Sequence, residues 1–180
     1  MVRPSLTDVM MATAQMWALR STCRRRAVGA VIADAEGHIL STGYNGVPAR
    51  SIHCTDVPCP GVSQDSGAGL DMCHAIHAEQ NAIAHCRNMQ SAHVIYSTTL
   101  PCMACMKALL ATPIAKIIYC EDYPHSHAKE FWLDNDGVLE QYEPTTPLLA
   151  ALRLETTLRT AFYKQESYSD RYGDERPKPH

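Results

Sequence analysis

Two short motifs place metal-binding residue types next to a carboxylate. The motif HAE at residues 77–79 begins one predicted helix, and PCMAC at residues 101–105 begins the next. Cysteines three positions apart share one face of the first helical turn, where the positive end of the helix dipole favours thiolates. A zinc ion with three protein ligands keeps its fourth position open for water. The spacing therefore predicts a catalytic zinc site formed by His77, Cys102 and Cys105, since a structural site would be closed.

Glu79 is expected to act on a water molecule because it follows the ligand His77 by two positions. Zinc lowers the pKa of its bound water towards about 7, and a nearby carboxylate accepts that proton and returns it to a departing amine. The combined His-x-Glu and Pro-Cys-x-x-Cys pattern is the known signature of zinc nucleobase deaminases, so the reaction type is matched to that pattern. The alternative is a structural cluster in which Glu79 only caps a helix.

Length and composition restrict the class of protein. The chain has 180 residues, of which 46% are hydrophobic and 19% charged, and its net charge is −3. We expect one globular domain over residues 1–165 and a loose polar tail over residues 166–180. The negative charge argues against a polynucleotide as partner. No apolar run is long enough for a membrane span, and the sequence is expected to be cytoplasmic, where closely spaced cysteines bind metal or react more often than they form disulfides.

Alternating strand and helix patterns surround the two motifs. Because strands that alternate with helices pair in parallel, the second half of the sheet is predicted to be parallel. Residues 45–72 are expected to be irregular, and a long loop of this kind is usually functional or held by something. The predicted helices are residues 5–20, 74–87, 101–111, 126–136 and 148–163, and the predicted strands are residues 27–33, 38–44, 93–98, 114–120 and 138–142.

Four separated motifs resemble the deoxycytidylate (dCMP) deaminase family of the cytidine deaminase-like superfamily. They are VGAVI at residues 28–32, GYNGVP at 43–48, HAEQNAI at 77–83 and TLPCMAC at 99–105, in the family's order. The resemblance extends over about residues 5–143. It implies an α/β fold, a three-layer α/β/α sandwich around a mixed five-stranded sheet. It also implies hydrolysis of dCMP to dUMP and ammonia, which supplies the thymidylate precursor.

The resemblance also implies roles for individual residues. His77, Cys102 and Cys105 match the family's zinc ligands, Glu79 its proton shuttle, and Asn45 an asparagine that contacts the substrate. Asn before Gly is also a common turn dipeptide.

A monophosphate substrate requires a cation, and three arginines precede the first strand. Arg26 aligns with the family's basic position, whereas Arg24 and Arg25 fit a solvated basic turn equally well. Tyr123 is expected either to line the base pocket or to pack in the core.

Four further cysteines flank or interrupt the irregular segment. Cys23, Cys54, Cys59 and Cys73 fit a closed four-thiolate zinc, which would explain how this loop stays ordered. Some relatives contain a second zinc in this region. His53 or His74 in place of one cysteine, or simply buried free thiols, are the alternatives. The other two, Cys86 and Cys120, are expected in the core.

Regulation and assembly are expected from the resemblance alone. Many relatives are homohexamers activated by dCTP with Mg²⁺ and inhibited by dTTP, with the effector site near Val47 and Pro48. A polynucleotide deaminase is the rival enzyme, although only 7% of residues are aromatic. A deaminase of free cytidine or of a modified cytosine nucleotide is a closer rival. The non-enzymatic rival is a zinc-stabilised interaction module.

Overall fold

The structure is a computed structural model that describes residues 3–64, 67–124 and 127–145, and residues 150, 151, 153, 155, 157 and 158. Helices and strands alternate from residue 94 onward, as the sequence predicts. The helices are α1 (Leu6–Ala18), α2 (Ala78–His85), α3 (Met103–Leu110) and α4 (His127–Leu133). The strands are β1 (Gly29–Ala33), β2 (Ile39–Tyr44), β3 (Val94–Thr99), β4 (Lys116–Glu121) and β5 (Val138–Gln141).

The strands form one mixed sheet in the order β2-β1-β3-β4-β5. Strand β1 pairs antiparallel with both β2 and β3, whereas β3, β4 and β5 pair in parallel. The parallel second half of the sheet is thus confirmed. Its strands lie beside one another because each crossover carries a helix back across the sheet.

Alternate residues of the central strands point into two separate cores. Ala30 and Ile32 of β1 face a core shared with α2, α3 and α4, whereas Val31 and Ala33 face a core shared with α1. This alternation is the period of a strand covered on both faces. The architecture is therefore the expected three-layer α/β/α sandwich, with α1 on one face of the sheet and α2, α3 and α4 on the other.

Two helices begin at least two residues later than the sequence predicts. The helix predicted over residues 74–87 is shorter, because residues 74–77 are extended or bridged and Gly46 pairs with Ile76. The helix predicted from residue 101 begins at Met103, with Cys102 as its N-cap. Both corrections place a metal-binding side chain at a cap, where the backbone is still extended. Cys120 is buried as expected, but Cys86 ends α2 and is only half-buried.

The irregular segment is confirmed over most of its length. Among the described residues it contains two short 3₁₀ turns, Pro60–Ser63 and Leu70–Met72. The described residues between 150 and 158 are helical, whereas the other residues of the predicted helix at 148–163 and the whole predicted tail at 166–180 lie outside the described residues. The domain limit at residue 165 therefore stays a prediction.

A buried carboxylate joins the beginning of α1 to the segment after β5. Asp8 accepts hydrogen bonds from the Tyr142 hydroxyl at 2.5 Å and the Thr145 hydroxyl at 2.7 Å, and it also accepts from Ser5. These bonds, led by Tyr142, hold the pKa of Asp8 well below its ordinary value. The side chain is 4% exposed, so its charge is stabilised by these donors and not by water.

Candidate active site

The N-terminal ends of two helices meet beside the sheet and present the predicted metal ligands. His77 is the N-cap of α2, Cys102 is the N-cap of α3, and Cys105 lies in the first turn of α3. Helix α3 follows β3 directly, so the site lies beyond the carboxyl end of a parallel strand. Ligands of open α/β sheets commonly bind in this position.

His77, Cys102 and Cys105 form a compact cluster. The Nδ1 atom of His77 lies 3.4 Å from the sulfur of Cys102 and 3.4 Å from that of Cys105. All three donor atoms lie within 4.8 Å of one another. Tetrahedral zinc bonds of about 2.3 Å to sulfur and 2.05 Å to nitrogen separate the two donor types by about 3.6 Å. The side chains therefore fit zinc in both spacing and chemistry.

Electrostatics within this cluster also favour a cation. Hydrogen bonding with Cys105 lowers the pKa of the Cys102 thiol to about 4, whereas the same contact raises the pKa of Cys105 far above its usual range. The hydrogen bond with Cys102 raises the pKa of His77 to about 9. The two thiols resist ionising together because adjacent buried thiolates repel. A divalent cation removes that repulsion, so both sulfurs become ligands when it binds.

Glu79 lies in the first turn of α2 and is 3% exposed. Burial raises the pKa of its carboxyl, and a hydrogen bond joins it to Cys105. A buried carboxyl with a raised pKa exchanges protons near neutral pH more readily than an exposed one. The carboxyl is therefore suited to carry a proton next to the metal ligands.

A cavity extends from the metal cluster towards the arginine segment. Its wall includes the side chains predicted for catalysis and for substrate contact, and it also includes Cys23 and Cys73. The predicted residues are Arg26, Asn45, His77, Glu79, Cys102 and Tyr123. Residues from five separate parts of the sequence thus line one space.

Arg26 and Tyr123 lie together at this cavity. The guanidinium carbon of Arg26 lies 5.8 Å from the centre of the Tyr123 ring, a cation–π arrangement. The Nη1 atom of Arg26 is buried and has no hydrogen-bond partner among the described residues. Arg25 also lines the cavity, and its Nη2 atom donates to the carbonyl of Ala68 at 2.9 Å. Arg24 is 5% exposed, which is contrary to a solvated turn.

Asn45 lines the cavity and also bonds to the protein. Its Nδ2 donates to the Arg26 carbonyl at 2.8 Å. Its Oδ1 accepts from the Val28 amide at 2.8 Å and from the Ser21 hydroxyl at 2.7 Å. The Asn-Gly dipeptide therefore does more than form a turn.

The four cysteines predicted for a second metal lie near one another. The sulfurs of Cys54 and Cys59 are 3.8 Å apart, and Cys73 hydrogen-bonds to both Cys23 and Cys59. These sulfurs are spread more widely than the donors of the first cluster. Desolvation raises the pKa of Cys59, and the bond to Cys23 lowers that of Cys73 to about 5. His53 and His74 are both exposed.

Three contributions to the site were not predicted from the sequence. Ser21 bonds to Asn45, and the Asn81 side chain donates to the Tyr44 carbonyl at 2.8 Å. Gly43 lets α2 approach the sheet, because a Cβ there would meet the Ala78 carbonyl. Gly43 and Asn81 lie inside the motifs GYNGVP and HAEQNAI, so the motifs themselves could have indicated these two residues. Ser21 carries no signal, since its role depends on a residue 24 positions away.

Comparison with known proteins decides the family. Residues 5–121 match the sequence profile described as "Cytidine and deoxycytidylate deaminase zinc-binding region". This chain belongs to that family. The family's zinc-binding region includes HAE and PCMAC, so the compact cluster lies within the matched segment.

Individual members of the family show how far the similarity extends. The deoxycytidylate deaminase of Saccharomyces cerevisiae is 33% identical over 141 residues, which are 77% of this chain and 45% of the yeast protein. The deoxycytidylate deaminase of Mycobacterium phage D29 is 36% identical over 126 residues, which are 66% of this chain and 97% of the phage protein. This chain therefore spans less than half of the yeast relative and almost all of the phage relative.

A solved structure supports the fold. The dCMP deaminase from cyanophage S-TIM5, in complex with dCMP and dUMP, has a TM-score of 0.58 and 23% identity, covering 79% of this chain and 100% of that one. The similarity extends to the mixed sheet and its helices. Among the described residues, no helix combines the length and apolar character needed to cross a bilayer.

Proposed function

We propose that this chain is a zinc-dependent deaminase that converts dCMP and water to dUMP and ammonia. The observation that carries the proposal is a buried carboxyl, Glu79, beside a His-Cys-Cys cluster in a cavity that also contains the Arg26 side chain. The names of the family members at 33–36% identity support dCMP as the substrate. The cyanophage dCMP deaminase, which shares the fold and was solved in complex with dCMP and dUMP, supports it as well.

His77, Cys102 and Cys105 would hold the zinc. When bound, this ion supplies a Lewis acid that makes water acidic near neutral pH. Glu79 Oε accepts a proton from the water and delivers it to the amine that leaves the ring. The water oxygen then remains on the ring carbon, and the nitrogen leaves as ammonia. The low exposure of Glu79 keeps bulk water from competing for its proton.

Arg26, Tyr123 and Asn45 form the proposed substrate contacts. The unpartnered Nη1 of Arg26 suits a phosphate oxygen, because a guanidinium donates charge-assisted hydrogen bonds. The Tyr123 ring holds this guanidinium from one side. Asn45 uses one Nδ2 hydrogen for the Arg26 carbonyl, and the other is available to a substrate oxygen.

Cys23, Cys54, Cys59 and Cys73 are proposed to bind a second, structural zinc. Backbone amides donate to each sulfur: those of Arg25 and Arg26 to Cys23, Ala75 to Cys73, His74 to Cys59, and Cys59 to Cys54. Such donors stabilise thiolates, which are the form that binds metal. The exposed positions of His53 and His74 favour the four sulfurs over a mixed ligand set.

Assembly and regulation are proposed from the family resemblance. Leu6, Val9 and Met16 of α1 are 49–54% exposed, and they supply apolar area for subunit contact in a homohexamer. Activation by dCTP with Mg²⁺ and inhibition by dTTP are proposed to act near Val47 and Pro48. All eight cysteines are free, which suits a reducing cytoplasm.

Ammonia release from four substrates tests the reaction. The zinc-loaded protein is incubated with dCMP, dCTP, deoxycytidine or a short single-stranded DNA, with and without trace dCTP and Mg²⁺. We expect turnover of dCMP that Glu79→Gln abolishes without loss of zinc. Activity only on the oligonucleotide would refute the monophosphate assignment, and no activity on any substrate would favour a modified cytosine nucleotide as substrate or the interaction module.

A further inference from the structure

The segment that carries Arg26 is bound by an asparagine from another loop. Residues 21–28 form neither helix nor strand. Asn45 binds them directly after the Arg26 side chain: Nδ2 donates to the Arg26 carbonyl at 2.8 Å, and Oδ1 accepts from the Val28 amide at 2.8 Å. The Asn45 amide also donates to the Val28 carbonyl at 3.1 Å. Side-chain bonds here replace the ladder that a regular strand would provide.

Asn45 is itself rigidly placed. Its side chain is buried, with 7% exposure, and its Oδ1 accepts from the Ser21 hydroxyl at 2.7 Å. Ser21 is 3% exposed and also accepts from the Cys23 amide at 3.2 Å. A buried amide that already makes three side-chain hydrogen bonds has little freedom to reorient.

The loop that carries Asn45 is tied to the helix that carries Glu79. The Asn81 side chain of α2 donates to the Tyr44 carbonyl at 2.8 Å. On the other side of Asn45, Gly46 exchanges two backbone hydrogen bonds with Ile76, at 3.2 and 2.9 Å. Both neighbours of Asn45 are thus anchored, Tyr44 to α2 itself and Gly46 to the segment just before α2.

We propose that Asn45 is a positioning residue that fixes Arg26 relative to Glu79, so that a phosphate held by Arg26 places the base at the metal cluster. This inference rests on the proposed function. It gives Asn45 a role beyond direct contact with the substrate, since its effect passes through the Arg26 backbone. Arg26 binds the phosphate, and Asn45 determines where that phosphate lies.

Comparison of dCMP with deoxycytidine isolates this role, because only dCMP carries the phosphate. We expect Asn45→Ala to lower kcat/KM for dCMP about tenfold, mainly through KM, as the loss of a hydrogen bond to a preorganised group does. The kcat/KM for deoxycytidine should change much less. Asn135→Ala is the matched control, because Asn135 donates the same kind of bond to the Phe131 carbonyl at 2.8 Å on an exposed surface. Asn135→Ala should leave kcat/KM unchanged for both dCMP and deoxycytidine.

A double-mutant cycle with Arg26→Ala supplies the second readout. Once Arg26 is removed, Asn45→Ala should have little further effect on dCMP, because positioning requires the positioned group. A merely structural role would lower the melting temperature without producing this dependence on Arg26. Should Asn45→Ala fail to fold, Ser21→Ala takes its place, since it removes the hydroxyl that donates to Asn45 Oδ1 and adds no charge beside Arg26.

Three results separate the outcomes. Full additivity of the two substitutions, or equal losses on dCMP and deoxycytidine, would overturn the positioning role while leaving dCMP deamination intact. Failure of the wild-type protein to deaminate dCMP would overturn the proposed function and this inference together. A loss of kcat/KM that occurs with dCMP and not with deoxycytidine, and that is not additive with Arg26→Ala, supports both the proposed function and the positioning role.

Discussion

Gly43 controls how closely helix α2 approaches the sheet, and therefore where Glu79 lies. A Cβ at Gly43 would meet the Ala78 carbonyl and would lie 2.5 Å from the Ala82 nitrogen, where ordinary contact begins at 3.4 Å. Gly43→Ala must therefore push α2 away by at least about 0.9 Å, the difference between these two distances, because the Ala78 carbonyl lies nearer still. Misplacement of catalytic groups by about 1 Å costs about 100-fold in rate.

The expected result is thus a kcat for dCMP reduced by about 100-fold. We also expect a loss of about 1–3 kcal/mol in the free energy of unfolding, the usual cost of overpacking a core. Ammonia release measures the first quantity and urea unfolding the second. Zinc content, measured on the same preparation, distinguishes a displaced Glu79 from a lost metal.

Gly29→Ala is the matched control for this experiment. A Cβ at Gly29 would meet the Ala14 carbonyl and lie 2.6 Å from the Ala18 nitrogen, so α1 must retreat by at least about 0.8 Å to reach ordinary contact at 3.4 Å. Helix α1 packs on the opposite face of the sheet. We expect a similar loss of stability with kcat much closer to wild type. Equal kcat losses in both variants, or an unchanged kcat in Gly43→Ala, would refute the reasoning.

Three further predictions follow from other contacts. Glu79→Gln should lower kcat by about 10²- to 10⁴-fold with unchanged zinc content; retained turnover would remove Glu79 from its proton-carrying role. Cys54→Ser should reduce bound zinc from two ions to one per chain by elemental analysis and lower the melting temperature; an unchanged metal count would refute the second site. Tyr142→Phe should cost about 1–3 kcal/mol at pH 7, measured by urea unfolding, because Asp8 loses a buried donor. The folded-state pKa of Asp8 lies below its ordinary value of 3.8, so the stabilisation is complete well above pH 3.8 and declines as the pH falls through the folded-state pKa. The difference in unfolding free energy between wild type and variant should therefore narrow on acidification. A difference that stays constant with pH would contradict this account.

Under the proposed function, backbone geometry would couple the free energy of phosphate recognition to that of catalysis. Arg26 lies before β1, whereas Glu79 lies in α2, and the two belong to segments far apart in the sequence. The Asn45 and Asn81 amides connect these segments by bonds of 2.8 Å. The proposed preference for a monophosphate thus depends on groups that need not touch the phosphate.

The sequence by itself determined the chemistry of the metal site. HAE and PCMAC specify both donor types, because the spacing of residues within one helical turn is a local property. Strand and helix order was also readable, since apolar periodicity is local. The boundaries of α2 and α3 were placed too early because capping geometry depends on where the backbone turns, which periodicity does not report.

Only the tertiary structure decided how the separate segments meet. It brought Cys73 next to Cys23 and Cys59, and it made the Asn45 side chain a partner of Arg26, Val28 and Ser21. A sequence reports which groups can donate or accept hydrogen bonds. Which groups pair is determined by packing of α1 and α2 on opposite faces of one sheet, because that packing sets the distances between residues that are remote in the chain.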